Sequence, residues 1–138
     1  KPAFADQELG GLFFNEDILK SGAALPYMDG PAVFKKAVVK FPEVINEALA
    51  ANNYTAKDID LLVPHQANLR ISQYVQQLLE LPDDKVFNNI QKYGNTTAAS
   101  VPIALSEAWE AGKVKEGDLV CLAAFGSGFT WASALIKW

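Results

Sequence analysis

The chain holds a single cysteine, a single histidine, a single methionine and a single arginine in 138 residues. One cysteine excludes an internal disulfide and suits a reducing compartment, so a cytoplasmic location is expected. No run of about eighteen apolar residues occurs, so no membrane-spanning helix is expected. Basic residues are outnumbered, 12 Lys and Arg against 16 Asp and Glu, for a net charge of −4. That balance argues against a nucleic-acid partner, which normally meets a basic face. The total leaves local basic clusters open. The amino end, Lys1-Pro2-Ala3-Phe4-Ala5-Asp6, lacks the apolar stretch of a signal peptide. The sole methionine is Met28, so a processed or trimmed chain, or a fragment, is expected. Repeats of solenoid period and low-complexity tracts are missing too.

What is present suits one globular domain: 50% of the residues are hydrophobic, enough for a modest core. Residues 1–27 are irregular by pattern, with room for a strand or two. From Pro31 to about Asn52 the apolar positions Phe34, Ala37, Val38, Phe41, Val44, Ile45, Ala48 and Leu49 follow helical spacing. Pro42 interrupts that helix, and its missing N–H predicts a kink near Phe41 or two abutting helices. Thr55 to Asp58 reads as a capped turn, and Ile59 to Val63 as a buried strand. A helix is predicted from Asn68 to Leu81, with Ile71, Val75, Leu78 and Leu79 inward. A short strand covers Val86 to Ile90, and another helix runs from Ala98 to Ala111, stopped by Gly112. Leu119 to Phe125 and Phe129 to Lys137 form a terminal hairpin. This order is that of an α/β layer with a sheet ending in a β-hairpin.

Two polar turns stand out. The first, Pro64-His65-Gln66-Ala67-Asn68-Leu69-Arg70-Ile71, joins the buried strand to a helix and carries the only histidine and arginine. The second, Tyr93-Gly94-Asn95-Thr96-Thr97, also leads into a helix. A lone histidine is more often structural than catalytic. Here a matching asparagine turn is delivered to the carboxyl end of a strand, where α/β folds build their sites. Cys121 lies mid-strand in an apolar setting, which raises a thiol pKa and hides the sulfur, so a structural role is expected.

Three motifs, His65 to Ile71, Gly94 to Pro102 and Ala124 to Trp131, together resemble 3-oxoacyl-(acyl carrier protein) synthase III, the initiating condensing enzyme of bacterial type II fatty acid synthesis. The resemblance starts near Met28-Asp29-Gly30-Pro31-Ala32-Val33-Phe34-Lys35, which predicts an irregular segment 1–27 and a thiolase-like carboxyl-terminal domain over 28–138. It implies the carboxyl-terminal half of a thiolase-like α/β fold. The missing amino-terminal half would carry the nucleophilic cysteine, so the isolated chain is expected to be inactive. The intact enzyme is expected to be a homodimer.

The resemblance also assigns roles. His65 and Asn95 would converge on the oxygen of a malonyl thioester as decarboxylation drives charge onto it, a task for preorganised neutral donors. An asparagine cannot yield a proton, so it serves as a fixed dipole. Backbone amides of Gly126, Ser127 and Gly128 would help hold the oxyanion formed on acyl transfer, although glycines in a hairpin turn explain themselves. Gly30, Phe34, Ala67 and Asn68 would line a tunnel for the pantetheine arm of coenzyme A or acyl carrier protein. Asn68 also suits the cap of its helix. Lys35 and Arg70 match a docking patch for acidic carrier protein, with Lys36 and Lys40 nearby. A solvated face is the usual meaning of such charges. The following helix departs from the family pattern, showing Gln76, Gln77 and Leu78 where some members carry lysines. No metal or resident cofactor is implied, since acyl-CoA and carrier-protein thioesters are substrates. Two alternatives are a non-catalytic thiolase-like partner subunit and a related acyltransferase with different chemistry.

Overall fold

The computed structural model describes residues 16–22 and 28–138. The chain divides into two compact units, Lys1–Val33 and Phe34–Trp138. In the first, Glu16–Ser21 form a short helix, α1, where no helix is expected from the pattern; residues 1–15 and 23–27 lie outside the described residues. Asp29 opens the next helix, α2 (Gly30–Ala51): its carboxylate accepts the Ala32 N–H at 3.0 Å.

α2 passes through Pro42 without dividing, so two abutting helices are not formed. Ala37, Phe41, Ile45 and Leu49 bury one face of it. Burying a large apolar side chain is worth about 2 kcal/mol, so three such residues outweigh a proline cost of about 3 kcal/mol. The helix stops at the predicted place, where Asn53 takes a φ of 58°.

Strand β1 (Leu61–Pro64) follows a 3-10 turn over Ala56–Asp58 and is buried along its whole length. It starts two residues later than expected, because Ile59 still bonds back to Ala56 O. Helix α3 (Leu69–Leu78) ends before the predicted Leu81. Glu80 turns left-handed at φ 53°, and the N–H groups of Glu80 and Leu81 bond to Gln77 O and Gln76 O, a Schellman closure. Leu78, expected inward, is 52% exposed. Leu79, expected inward, is buried, as is Leu81 beyond the helix end.

The predicted strand Val86–Ile90 shrinks to one parallel bridge, Leu62 with Val86, supported by the Phe87 N–H on Leu62 O at 2.9 Å. Beyond it the backbone bonds to a side chain and a one-turn helix, α4 (Ile90–Tyr93), follows. Helix α5 (Ser100–Glu110) keeps Pro102 in its first turn and ends at Gly112, at φ 68°. The hairpin of β2 (Leu119–Gly126) and β3 (Thr130–Lys137) completes the sheet.

The sheet order is β1-β2-β3, with β1 parallel to β2 and β2 antiparallel to β3. Leu61, Val63 and Val120 pack with Ala104 and Ala108 of α5 and with Val114. On the opposite face the Ser133 hydroxyl donates to Val44 O at 2.8 Å, tying β3 to α2. Among the described residues no helix is long and apolar enough to cross a membrane.

Candidate functional site

β1, β2 and the Leu62–Val86 bridge run parallel, so the loops that follow them leave the sheet at one edge. Those loops carry His65, Gly126–Gly128 and Asn95. This is where parallel sheets place their sites.

His65 continues the β1 ladder by one bond, its N–H donating to Ala123 O at 2.8 Å. Its carbonyl then accepts the Ala67 N–H at 3.1 Å, which turns the chain away. The half-buried imidazole has its pKa lowered, because burial disfavours the charged ring. A neutral ring carries one N–H donor and one acceptor nitrogen.

Asn95 sits after Gly94, whose φ of 68° and ψ of −158° only glycine adopts readily. Its Oδ1 accepts the Thr97 N–H at 2.9 Å. A backbone N–H can be accepted only by the amide oxygen, so the Nδ2 end is left as a donor with no partner among the described residues. Thr97 pays for this turn with a φ of 52°, an uncommon value for a β-branched residue.

The short helix that precedes Asn95 is held by two residues not singled out in the motifs. Gln66 is buried, and its side chain makes four hydrogen bonds. Nε2 donates to Pro64 O at 2.7 Å and Phe87 O at 3.4 Å, while Oε1 accepts the Asn89 and Ile90 N–H groups at 3.0 and 3.1 Å. Glu107 of α5 clasps the same short helix. Its carboxylate accepts Asn89 Nδ2 at 2.8 Å, Lys92 Nζ at 2.5 Å and the Tyr93 hydroxyl at 2.5 Å. Those bonds, led by the one from Lys92, pull the Glu107 pKa down to about 2, and the pairing raises that of Lys92. The only sequence signal for either residue is a polar side chain at a position that helix or strand periodicity buries.

The hairpin loop between β2 and β3 turns through Gly128 at φ 115°, and Thr130 Oγ1 donates to Ser127 O at 3.2 Å. The N–H groups of Ser127 and Gly128 meet no acceptor among the described residues.

Asn68 caps α3, its Oδ1 accepting the Arg70 N–H at 3.0 Å. Ala67, Asn68 and Arg70 are exposed. The Arg70 guanidinium lies 5.9 Å from the Phe34 ring centre, and Tyr74 meets the same ring edge-on at 6.5 Å. Phe34, expected in the tunnel, and Arg70, expected in the docking patch, are therefore neighbours. Lys35 is exposed, whereas Lys40 pairs with Glu43 at 2.7 Å and lies 5.2 Å from the Trp131 ring. Gly30 falls in the first unit, and a side-chain carbon there would meet nothing within 4 Å. Cys121 is buried in mid-strand, and desolvation pushes its thiol up to about 12. It is no thiolate at neutral pH.

The three-stranded mixed sheet with its α/β crossover is part of a thiolase-like fold. Residues 49–138 match the family described as 3-oxoacyl-[acyl-carrier-protein] synthase III C terminal, and the chain belongs to it. A beta-ketoacyl-[acyl-carrier-protein] synthase III of Campylobacter jejuni is 54% identical over 110 residues, 80% of this chain and 34% of that protein. The crystal structure of the corresponding synthase from Thermus thermophilus superposes with a TM-score of 0.80 at 48% identity, covering 81% of this chain and 35% of that one. That of 3-oxoacyl-[acyl-carrier-protein] synthase III from Aquifex aeolicus gives 0.80 at 47%, covering 81% and 36%. The chain thus spans about a third of the length of the relatives it matches.

Proposed function

We propose that this chain supplies the decarboxylation half of a synthase that joins an acyl group from coenzyme A to malonyl-carrier protein. The acyl group first passes to a cysteine thiolate that lies outside these 138 residues, releasing free coenzyme A. The malonyl thioester then loses CO2, and the C–C bond pair moves into an enolate whose charge rests on the thioester oxygen. That carbon attacks the acyl-cysteine carbonyl, the thiolate leaves, and a 3-oxoacyl thioester results. His65 and Asn95 donate N–H bonds to the enolate oxygen. The Ser127 and Gly128 amides face the oxyanion of the acyl-transfer steps.

The observation that carries this reading is the Asn95 amide, turned by the Thr97 N–H so that only its donor end is free. Donors fixed before the reaction need no reorganisation as charge develops. In the same reading Phe34, Ala67 and Asn68 line the pantetheine path, and Lys35 and Arg70 steer an acidic carrier protein. The working enzyme is a cytoplasmic homodimer that needs no resident cofactor.

The test is incubation of the full-length synthase and of the 138-residue chain with acyl-CoA and malonyl-carrier protein, followed by mass spectrometry. The full-length enzyme should form the 3-oxoacyl product. The chain alone should form none, and Cys121 should stay unmodified. Product from the chain alone, or an acyl group on Cys121, would contradict the reading.

A further inference from the structure

α4 has four residues, a single turn that cannot stand unaided, since helix nucleation is unfavourable in isolation. Asn95 follows it after one glycine, so the place of the amide depends on what anchors α4. Glu107 anchors it to α5 through Asn89 Nδ2 and Lys92 Nζ. Gln66 is different, because it is the residue next to His65. One end of its amide grips the carbonyl of Pro64, just before the histidine; the other takes the two N–H groups at the start of α4.

We propose that Gln66 is a positioning residue that locks the His65 turn and the Asn95 turn into one rigid unit, setting the two donors on a common oxygen. The assignment rests on the reading of His65 and Asn95 as enolate donors. A glutamine fits the task because it alone offers acceptor and donor at opposite ends of one planar group of that length. A shorter asparagine cannot bridge both segments, and an apolar side chain of the same size takes the Gln66 partner from two N–H groups and two carbonyls. A packing role alone would be met by a methionine, which has the same shape.

The test measures single-turnover decarboxylation of a malonyl thioester and acylation of the nucleophilic cysteine separately, in the full-length synthase. Gln66→Met should slow decarboxylation about 10- to 100-fold, less than or equal to the loss of one oxyanion donor. Cysteine acylation should change by less than about threefold, and Gln66→Glu, which keeps the double acceptor, should recover part of the loss. In an Asn95→Ala background Gln66→Met should add little, because no amide is left to position. Normal decarboxylation in Gln66→Met, or losses that simply multiply in the double variant, would overturn the assignment. So would failure of both Gln66 variants to fold, which would make the residue a support of the fold. An Asn95→Ala enzyme that decarboxylates normally would sink the donor reading itself, and Gln66 with it; impaired Asn95→Ala with normal Gln66→Met sinks Gln66 alone.

Discussion

Gly94 is where backbone conformation and chemistry meet most closely. A side-chain carbon there would touch nothing within 4 Å, so the demand for glycine comes from φ and ψ alone. Gly94→Ala should cost about 1–3 kcal/mol in unfolding free energy, read by denaturant titration. Decarboxylation should fall further than that cost implies, because relaxing the turn swings Asn95. His65 offers a second check. As the chain's only histidine it gives a single set of ring resonances, which should titrate below the ordinary 6.5 in the folded protein. With the folded value below the unfolded one, the neutral ring's contribution to stability is present above the ordinary value. It is lost as pH falls through the lowered one. A titration at or above 6.5 would mean that a charged partner faces the ring.

At the scale of elements, the clasp on α4 predicts an acid signature. The Glu107 carboxyl is lowered from 4.5 to about 2, so its contribution is whole above 4.5 and drains away as pH falls towards 2. Glu107→Gln should lower the melting temperature at neutral pH and flatten its dependence on pH in that window. An unchanged profile would show that the Lys92 and Tyr93 bonds hold nothing. Elements were legible where one periodicity ruled. The buried face of α2, the extent of α5 and the β2–β3 hairpin can be read from apolar spacing and glycine positions. Val86–Ile90 cannot. It carries strand-like residues, but the N–H groups of Asn89 and Ile90 go to Gln66, a partner more than twenty positions away. A left-handed Glu80, where glycine is the usual signal, closes α3 three residues before the expected Leu81. His65 and Asn95 stood out as polar turns after apolar runs. Gln66 and Glu107 did not, since their partners meet only once the chain has folded.

For the whole molecule, one arrangement carries the account. Parallel pairing sends three polar loops to the same edge of the sheet, while the buried Cys121 stays within β2, away from chemistry. On the proposed reading this chain supplies electrostatic stabilisation and not the nucleophile; the relatives it matches are about three times its length. The most direct measurement compares decarboxylation with cysteine acylation in full-length His65→Ala and Asn95→Ala synthases. Each substitution should slow malonyl decarboxylation roughly 100- to 1000-fold and leave acylation by a short acyl-CoA within a few-fold of normal. Decarboxylation within a few-fold of the unsubstituted enzyme, or acylation lost to the same degree, would contradict it.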